Sequence, residues 1–372
     1  MQNRNIAIVA NSTWNIYNFR LNIIRKLLNE GWAVTVIAPL DEYISYKESF
    51  PRVKHIALKS LNRDNRNPFK DFKLYQELKS IYKRLKPDLI LHYTHKPNIY
   101  GGFAAKHCGI KSIAVVTGLG YPFIHKGLVN SITKKLYRLS SDCHSKMIFE
   151  NEDDKAYFIS QRLVKADKAY AIKGCGVDTA IYLPVPNGVE KEKSIFTFIG
   201  RLLHDKGIVE FVEAAQKIKA RNPNTEFWVL GELDKENPSM VKKSQLLDWI
   251  EAGAIVYHGF VKDVRPFIAK SDCIVLPSYR EGMPRIILEA MSMSKPVITT
   301  LTAGCRETVV DGENGFLVES KDSKALTDGM IQFLELNHDQ KHTMGEKGRA
   351  MAIEAFNSEK IATVLYDIIR HN

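Results

Sequence analysis

Two groups of charged residues in the second half of the chain have the types and spacing needed to hold a nucleotide. In the first group, Arg201 and Lys206 follow an apolar run that ends at Gly200, and a helical pattern begins after Gly207. A guanidinium, an ammonium and the N–H groups of a helix N-terminus together form a site for a diphosphate. Taken alone, the same residues are equally consistent with a surface loop whose basic side chains are incidental.

The second group is a pair of glutamates, Glu281 and Glu289, with seven residues between them. A strand-like run at 273–276 precedes them, and Gly282 and Pro284 stand where a helix would begin. Two carboxylates near one helix N-terminus can accept hydrogen bonds from sugar hydroxyls, while the N–H groups there face an anion. The alternative is an ordinary helix with one capping and one exposed glutamate.

The elements that must position these groups alternate between strand and helix. This alternation predicts two doubly wound α/β domains with parallel sheets and a helical C-terminal tail. Ligands of such sheets bind beyond the carboxyl ends of the strands, so we expect a cleft between the two domains. Pro, Gly and charged residues without apolar periodicity mark a linker. The predicted organisation is an N-terminal acceptor-binding domain at 1–181, a linker at 182–193, a nucleotide-sugar domain at 194–356 and a C-terminal helix at 357–372 that packs back on the first domain.

Individual elements follow from the apolar runs and their spacing. Helices are predicted over 16–28, 128–141 and 286–293, from residue 208, and through most of the chain after Ser323. Strands are predicted at 5–10, 33–38, 89–92, 112–117 and 147–150 in the first half, and at 195–199, 226–230, 255–257, 273–276 and 297–299 in the second.

The two charged groups, about 80 residues apart, resemble the signature of a large family of retaining nucleotide-sugar glycosyltransferases with the GT-B fold. That signature is Gly-Arg-Leu followed by Lys-Gly and then Glu-x7-Glu. The segments 229–231, 258–261 and 307–317 also resemble the family, so the likeness covers about residues 174–355.

The resemblance implies a role for each matching residue. Arg201 and Lys206 would neutralise the donor diphosphate, with Lys206 assisting departure of the nucleoside diphosphate. Glu281 would bind the donor sugar and Glu289 the ribose hydroxyls. Family members use such cations instead of a metal, so no metal and no other cofactor is expected, and the donor is expected to be a UDP-sugar. The implied donor-binding set is Gly200, Arg201, Lys206, Gly231, Phe260, Val261, Glu281, Gly282, Met283, Pro284, Arg285 and Glu289.

The first half resembles a narrower group, the bacterial enzymes that extend polyprenyl-diphosphate-linked sugars. This group includes N-acetylgalactosaminyltransferases acting on lipid-linked bacillosamine and enzymes of capsule and O-antigen synthesis. The likeness lies at 16–20, 39–43, 95–101 and 117–121. It implies a lipid-linked saccharide acceptor, for which we predict binding residues Asn18, Arg20, His95, Lys96, Gly118 and Gly120.

Physical arguments accompany the acceptor residues. Arg20, just past the first strand, can reach a diphosphate. His95 follows a predicted strand and can orient an acceptor hydroxyl, which makes it a fourth catalytic candidate beside Arg201, Lys206 and Glu281. Two departures from the group stand nearby. Thr117 replaces a histidine that many relatives carry, and residues 11–15 replace a glycine-rich loop.

Charge is distributed unevenly along the chain. The net charge is +11, yet residues 1–185 hold 29 basic and 15 acidic side chains. We expect this half to meet an anionic partner, the inner leaflet of the cytoplasmic membrane. The helix at 128–141 has an apolar spacing that predicts core packing, with basic residues on its other side for lipid headgroups. The apolar set is Leu128, Ile132, Leu136 and Leu139, and the basic set is Lys126, Lys134, Lys135, Arg138 and Lys146.

Other classes of protein are disfavoured by composition. Hydrophobic residues make up 45% of the chain and charged residues 26%, which is globular rather than disordered. Five scattered cysteines, and a first strand that follows the N-terminus directly, predict a cytoplasmic protein at the inner face of the membrane. We find no nucleic-acid-binding module and no G-x-G-x-x-G after the first strand. The principal alternative is a nucleotide-sugar 2-epimerase, which shares the two-domain architecture.

Overall fold

A computed structural model describes residues 4–61, 67–125, 127–185 and 193–371 of the chain. It divides into two compact units. Unit 1 comprises Met1–Cys175 and Ser358–Asn372, and unit 2 comprises Gly176–Asn357. The division therefore falls after Cys175, six residues before the predicted boundary, and the C-terminal helix is part of unit 1.

Unit 1 is a parallel seven-stranded sheet with strand order β3-β2-β1-β4-β5-β6-β7. Its central strands are covered on both faces, which is why they are nearly continuous apolar runs in the sequence. The strands are β1 Asn5–Val9, β2 Ala33–Ala38, β3 Lys54–Ala57, β4 Leu89–Tyr93, β5 Ser112–Val116, β6 Lys146–Phe149 and β7 Ala169–Ala171. The helices before the second unit are α1 Thr13–Phe19, α2 Leu21–Asn29, α3 Tyr46–Ser49, α4 Pro68–Leu85, α5 Gly102–His107, α6 Tyr121–Ile124, α7 Leu128–Ser141 and α8 Glu152–Ser160.

Unit 2 is a parallel six-stranded sheet with strand order β10-β9-β8-β11-β12-β13. Its strands are β8 Ser194–Ile199, β9 Thr225–Leu230, β10 Val256–Gly259, β11 Cys273–Leu276, β12 Val297–Thr300 and β13 Gly315–Val318. Its helices are α9 Ile208–Lys219, α10 Lys243–Glu251, α11 Arg265–Lys270, α12 Arg285–Ser292, α13 Ser323–Glu335 and α14 His338–Ala355. The last helix of the chain, α15 Ser358–Arg370, buries Ile361, Leu365 and Ile369 in the same core cluster as α2 of unit 1.

The predicted architecture, two doubly wound parallel domains, is confirmed, and three local expectations need correction. The predicted helix at 16–28 is in fact two helices, α1 and α2. The helix is interrupted at Arg20, whose side chain points into the core. The edge strands β3, β7 and β13 were not predicted. Along α7, the apolar residues face solvent instead of the core: Leu128, Ile132 and Leu139 are 77%, 49% and 54% exposed, and only Leu136 is partly buried.

The predicted linker at 182–193 is only partly within the described residues, because 186–192 lie outside them, as does Lys126. Its first residue, Tyr182, packs against the core of unit 2. The Tyr182 backbone carbonyl accepts a hydrogen bond of 2.7 Å from the Ser292 hydroxyl on α12. The beginning of the segment is therefore an ordered part of unit 2.

Candidate functional site

Glycines bring the loops at the carboxyl edge of the unit 2 sheet into close contact. Gly231 ends β9 with a φ of +144°, and a Cβ there would lie 1.8 Å from the carbonyl oxygen of Gly200 at the end of β8. Gly207 has a φ of +73°, and a Cβ would lie 2.1 Å from the carbonyl oxygen of Pro277. A side chain at Gly231 would push the end of β9 away from Gly200, and one at Gly207 would push the Lys206 segment away from the loop after β11.

The structure brings Lys206 and Glu281 into direct contact. The ammonium of Lys206 forms an ion pair with Oε1 of Glu281, and the same oxygen accepts a hydrogen bond of 2.6 Å from the Ser278 hydroxyl. The two charged side chains are 22% and 12% exposed, so the pair is partly buried yet open to a ligand. Two residues 75 positions apart in the sequence thus form one polar centre, as expected of a shared diphosphate and sugar site.

Arg201 is held by a carboxylate that the sequence analysis did not single out. Its Nη1 lies 2.6 Å from Oδ2 of Asp234, which follows β9 by a few residues. The Arg201 side chain remains 42% exposed, whereas that of Asp234 is 11% exposed. Asp234 therefore orients the guanidinium at the sheet edge while leaving much of it accessible.

Glu289 lies on the second turn of α12 and is largely buried. Its Oε1 is 2.8 Å from Nε of Arg285, one turn earlier on α12. The hydroxyl of Tyr182 also hydrogen-bonds to Glu289. Burial raises the pKa of Glu289, and the Arg285 charge opposes this shift. Both partners hold the carboxylate in a defined orientation.

The remaining donor candidates surround this centre. Phe260 follows β10 and is 51% exposed, whereas Met283 is 9% exposed and packs in the unit 2 core. Pro284 immediately precedes α12 as its N-cap residue and makes no side-chain capping hydrogen bond. The Ile287 N–H of the first turn donates to the Pro284 carbonyl at 3.0 Å. Gly200, Val261 and Gly282 occupy loop positions at the same sheet edge.

The loop carrying Glu281 is itself packed against the segment after β12. The Glu281 N–H donates to the carbonyl of Ala303 at 3.1 Å. Gly304 has a φ of +78°, and a Cβ there would lie 2.4 Å from the carbonyl oxygen of Gly282. Gly304 is therefore a positioning residue that sequence reasoning missed.

In unit 1, the environment of Arg20 is not the one expected of a ligand-binding residue. Its side chain lies inside the unit, with Nη1 3.2 Å from Oε1 of Glu150 and Nε 3.3 Å from Oδ1 of Asn15. The guanidinium also sits over the Tyr93 ring, 4.1 Å from its centroid. Burial alone would lower the pKa of Arg20, but Glu150, with smaller contributions from Tyr93 and Cys175, more than offsets this, and the net direction is upward. Arg20 is 5% exposed, and its guanidinium is paired with Glu150 inside the unit.

His95 is held between aromatic rings. Its Nδ1 lies 2.8 Å from the Tyr137 hydroxyl, and its ring stacks on that of Phe123 at 6.2 Å. Burial lowers the pKa of His95 to about 4. A hydrogen bond to the backbone carbonyl of Leu119 acts in the opposite direction and raises the pKa, but by less. The neutral ring donates to Leu119, and in that tautomer its Nδ1 accepts from the Tyr137 hydroxyl.

The other acceptor candidates are spread along the same edge of unit 1. Lys96 forms an ion pair of 3.0 Å with Asp71 of α4. Asn18 donates from its amide to the Trp14 carbonyl at 3.0 Å. Gly118 and Gly120 both have positive φ, +110° and +57°, in the loop after β5. A Cβ at Gly120 would lie 3.6 Å from Nε2 of His95, so this glycine lies beside the histidine.

Two residues missed in unit 2 share a recognisable signal. Ser278 follows β11 and Asp234 follows β9, each within a few residues of the strand end, whereas Tyr182 lies in the loop between β7 and β8. A polar residue within a few positions of a parallel strand's carboxyl end lies near the ligand-binding edge. Within the described ranges, no group of three or more His, Cys, Asp or Glu side chains has the arrangement of a metal site.

Two family models match the chain. The model described as "Glycosyl transferases group 1" matches residues 183–351, which include the Lys206–Glu281 centre, and "Glycosyl transferase 4-like" matches residues 5–151. The chain is also 31% identical, over 89% of its own length and 89% of the relative's, to a Campylobacter jejuni enzyme. That enzyme is an N,N'-diacetylbacillosaminyl-diphospho-undecaprenol alpha-1,3-N-acetylgalactosaminyltransferase. The chain belongs to this glycosyltransferase family.

Other relatives extend the comparison of this glycosyltransferase. An Escherichia coli UDP-Gal:alpha-D-GlcNAc-diphosphoundecaprenol alpha-1,3-galactosyltransferase is 27% identical over 92% of the chain and 90% of the relative. Among solved structures, Anabaena HepE in complex with UDP and glucose matches with a TM-score of 0.80, 18% identity and coverage of 99% and 100%. A Rickettsia africae glycosyltransferase matches with a TM-score of 0.80, 20% identity and coverage of 100% and 99%. These structures confirm the GT-B fold.

The charges at the unit 2 edge suit a glycosyltransferase donor site. Lys206 and Arg201 are each paired with a carboxylate, and each remains partly accessible. A diphosphate can therefore bind both cations without drawing either from the core. In the described part of the chain, no helix is both long and apolar enough to cross a bilayer.

Proposed function

We propose that this glycosyltransferase moves a sugar, with retention of anomeric configuration, from a UDP-sugar to a lipid-linked saccharide in bacterial surface polysaccharide synthesis. The observation that carries the proposal is the contact between Lys206 and Glu281, which puts a phosphate-binding cation beside a sugar-binding carboxylate. The three functional groups of a nucleotide sugar then have separate partners. The diphosphate takes Lys206 and Arg201, the donor sugar takes Glu281, and the ribose takes Glu289.

The chemistry assigned to unit 2 is stabilisation of the departing diphosphate. As the bond between the anomeric carbon and the phosphate oxygen breaks, negative charge grows on that oxygen, and the Lys206 ammonium stabilises it. The acceptor hydroxyl forms its bond to the anomeric carbon on the same face and gives its proton to the departing phosphate. This route needs no protein base, which agrees with the engaged state of both His95 ring nitrogens. It also needs no metal, because the side-chain cations and α12 supply the positive charge.

The acceptor is proposed from the relatives. The Campylobacter and Escherichia coli enzymes act on sugars joined to undecaprenol through a diphosphate, and both names specify an alpha-1,3 linkage. The Campylobacter enzyme is similar over 89% of this chain, so unit 1 is included in the likeness. We therefore assign a polyprenyl-diphosphate saccharide to unit 1.

A lipid-linked acceptor requires the enzyme to work at a membrane, and α7 offers a suitable surface. Leu128, Ile132 and Leu139 project into solvent, and Lys135 is exposed between them in the helical repeat. An exposed apolar stripe flanked by lysine is the pattern of a helix that lies in the headgroup region of an anionic bilayer. We propose peripheral association with the inner face of the cytoplasmic membrane through this stripe.

The beginning of α4 has the same character. Phe69 and Phe72 are 80% and 59% exposed, and Lys70 and Lys73 beside them are also exposed. Since α4 leads from β3 to β4 and α7 from β5 to β6, both helices begin at the carboxyl edge of the unit 1 sheet. Two apolar and basic segments at one edge can contact a single lipid surface together.

Donor binding is tested by thermal unfolding with a panel of nucleotide sugars. A true donor raises the unfolding temperature by mass action. Transfer is then measured from that donor to GlcNAc-diphosphoundecaprenol and to N,N'-diacetylbacillosaminyl-diphosphoundecaprenol. Conversion of the nucleotide sugar in the absence of any acceptor would instead favour the 2-epimerase alternative.

The membrane surface is tested by sedimentation with anionic and neutral vesicles at rising salt. The wild type is expected to bind anionic vesicles and to be released by salt, because surface charges are screened within about 8 Å at physiological ionic strength. Ile132→Ser should weaken binding, whereas Val364→Ser on α15, an equally exposed apolar position at 49%, should not. Equal binding to neutral vesicles, or equal effects of the two variants, would contradict this part of the proposal. Binding to nucleic acid at moderate salt would contradict the assignment of the basic half.

A further inference from the structure

The first helix of unit 1 carries exposed aromatic side chains that the proposed catalytic chemistry does not use. Trp14 and Tyr17 are 41% and 42% exposed, and their spacing puts them on the same face of α1. The Tyr43 ring packs against that of Tyr17, with centroids 5.4 Å apart, and Phe19 meets Trp14 edge-on at 5.1 Å. We call Trp14, Tyr17 and Tyr43 the aromatic surface.

The aromatic surface lies at the ligand-binding edge of unit 1. α1 follows β1, and Tyr43 follows β2, so both segments leave the sheet at its carboxyl edge. Asp41 fixes the two segments together: its carboxylate accepts hydrogen bonds from the Trp14 N–H at 3.0 Å and the Tyr43 N–H at 2.9 Å. The rings are therefore held on a rigid support, which lowers the entropy lost when a ligand binds.

The local charges disfavour a phosphate at this surface. The Asp41 carboxylate already occupies the N-terminal end of α1, where it also accepts from the Thr13 hydroxyl. Arg20, at the other end of α1, is turned inward to Glu150. The groups that would attract an anion are thus engaged, and the groups that α1 offers to solvent are aromatic faces together with the amide of Asn18.

We propose that the aromatic surface binds the sugar ring of the acceptor by stacking one face of the pyranose on Trp14 and Tyr17. The C–H groups on one face of a pyranose carry partial positive charge and are attracted to the negative face of an aromatic ring, while the hydroxyls at its rim stay solvated. This inference rests on the proposed function, because it assigns the saccharide part of the acceptor and leaves its diphosphate to other groups. It also replaces Arg20 as the main acceptor contact on α1.

Fluorescence gives a test that does not depend on transfer. The chain has four tryptophans; Trp32 and Trp249 are 7% and 9% exposed, and Trp228 lies in unit 2. Methyl glycosides of N-acetylglucosamine and N-acetylgalactosamine should quench the wild-type emission in a saturable way. The quenching should disappear in Trp14→Phe, which keeps an aromatic ring but removes the tryptophan that reports on binding. Quenching that persists in Trp14→Phe, or is absent from the wild type, would overturn the proposal.

Kinetics supply the second measurement. Trp14→Ala should raise the KM for GlcNAc-diphosphoundecaprenol or its bacillosaminyl counterpart by roughly tenfold, with the donor KM unchanged. Leu247→Ala, at a position 46% exposed on α10 of unit 2, is the matched control and should change neither value. If Trp14→Ala does not fold, Tyr17→Ala takes its place. An unchanged acceptor KM in a folded variant would refute sugar binding by the aromatic surface. A wild type that transfers no sugar would instead refute the proposed function. In that case, the fluorescence measurement alone would test whether the aromatic surface binds a sugar.

Discussion

Acid should destabilise unit 1 through a buried histidine, His144. Its Nε2 donates to the carbonyl of Asn98 at 2.7 Å, and its Nδ1 accepts from the Ser112 hydroxyl at 2.9 Å. A Cβ at Gly102 would lie 2.5 Å from Nε2, so the ring is tightly enclosed. His144 is 2% exposed, and burial lowers its pKa to about 4.

The direction and size of the effect follow from these values. The unfolded chain takes up a proton near pH 6.5, whereas the folded unit resists it until about pH 4. The neutral His144 therefore makes its full contribution to the free energy of unfolding above pH 6.5. This contribution is lost as the pH falls from about 6.5 towards 4. Between pH 7.5 and pH 5 the loss is about 2 kcal/mol for this one group. For a unit of this size, that lowers the unfolding temperature by roughly 4–8 °C.

The assay compares thermal unfolding at pH 7.5 and pH 5 in the wild type and in His144→Gln. The variant starts from a lower unfolding temperature, but its further loss on acidification should be smaller by the amount above. The control is His338→Gln, at an α14 position whose side chain is 78% exposed. Its unfolding temperature should fall on acidification by the same amount as that of the wild type. The same loss in His144→Gln as in the wild type, or a ring proton that titrates near pH 6.5 by NMR, would refute the reasoning.

Three further predictions concern the reaction. Lys206→Ala should lower turnover at least about a hundredfold while weakening donor binding less, because Lys206 stabilises charge that grows in the transition state. The control is Lys243→Ala, at an exposed position on α10. Near-normal turnover in Lys206→Ala would contradict the role assigned to Lys206. Activity should survive excess chelator, measured as transfer with and without EDTA, and a complete loss restored by magnesium or manganese would reverse that expectation. An α-linked donor should give an α-linked product, as measured from the anomeric coupling in proton NMR, and a β-linked product would overturn the retaining mechanism. His95→Ala should be impaired but active. A folded but inactive His95→Ala would contradict a mechanism that needs no protein base.

Much of the fold was predictable because buried parallel strands are continuous apolar runs. The bounds of β2, β11 and α7 agree with the expectation made from sequence. The edge strands were missed for the opposite reason. β3 is Lys-His-Ile-Ala, and its residues are exposed or half-buried, so its composition does not distinguish it from a loop.

The solvent-facing stripe of α7 shows where periodicity is insufficient. Apolar residues at helical spacing predict a buried face, but the pattern does not say what buries it. Here the buried side of α7 is formed by Tyr137, Ser140 and Ser141, whereas Leu128, Ile132 and Leu139 point outward. A tyrosine that hydrogen-bonds His95 and two serines that donate to helix carbonyls can pack inside, so the helix is oriented by tertiary contacts.

The donor residues were predictable because their spacing is a local property of the sequence, whereas their partners are not. Lys206 and Glu281 belong to segments with a recognisable pattern, but the pattern does not reveal that Ser278 shares the same carboxylate oxygen. Asp234 is likewise separated by 33 positions from the guanidinium it holds. Such pairs form only when strand ends are brought together by the sheet.

Arg20 shows the consequence of this limit for function. The sequence predicted it at the start of the first helix, just past β1, but the structure places it at the C-terminal end of α1, where α1 meets α2. Its charge, however, is offset by Glu150, which lies 130 positions away in sequence at the end of β6. The first helix is then stabilised at its other end by Asp41, so neither end of α1 is left to attract a phosphate. The part of α1 that is exposed belongs to the aromatic surface. We therefore assign to α1 aromatic rings that bind the acceptor sugar, in place of an arginine that binds its diphosphate.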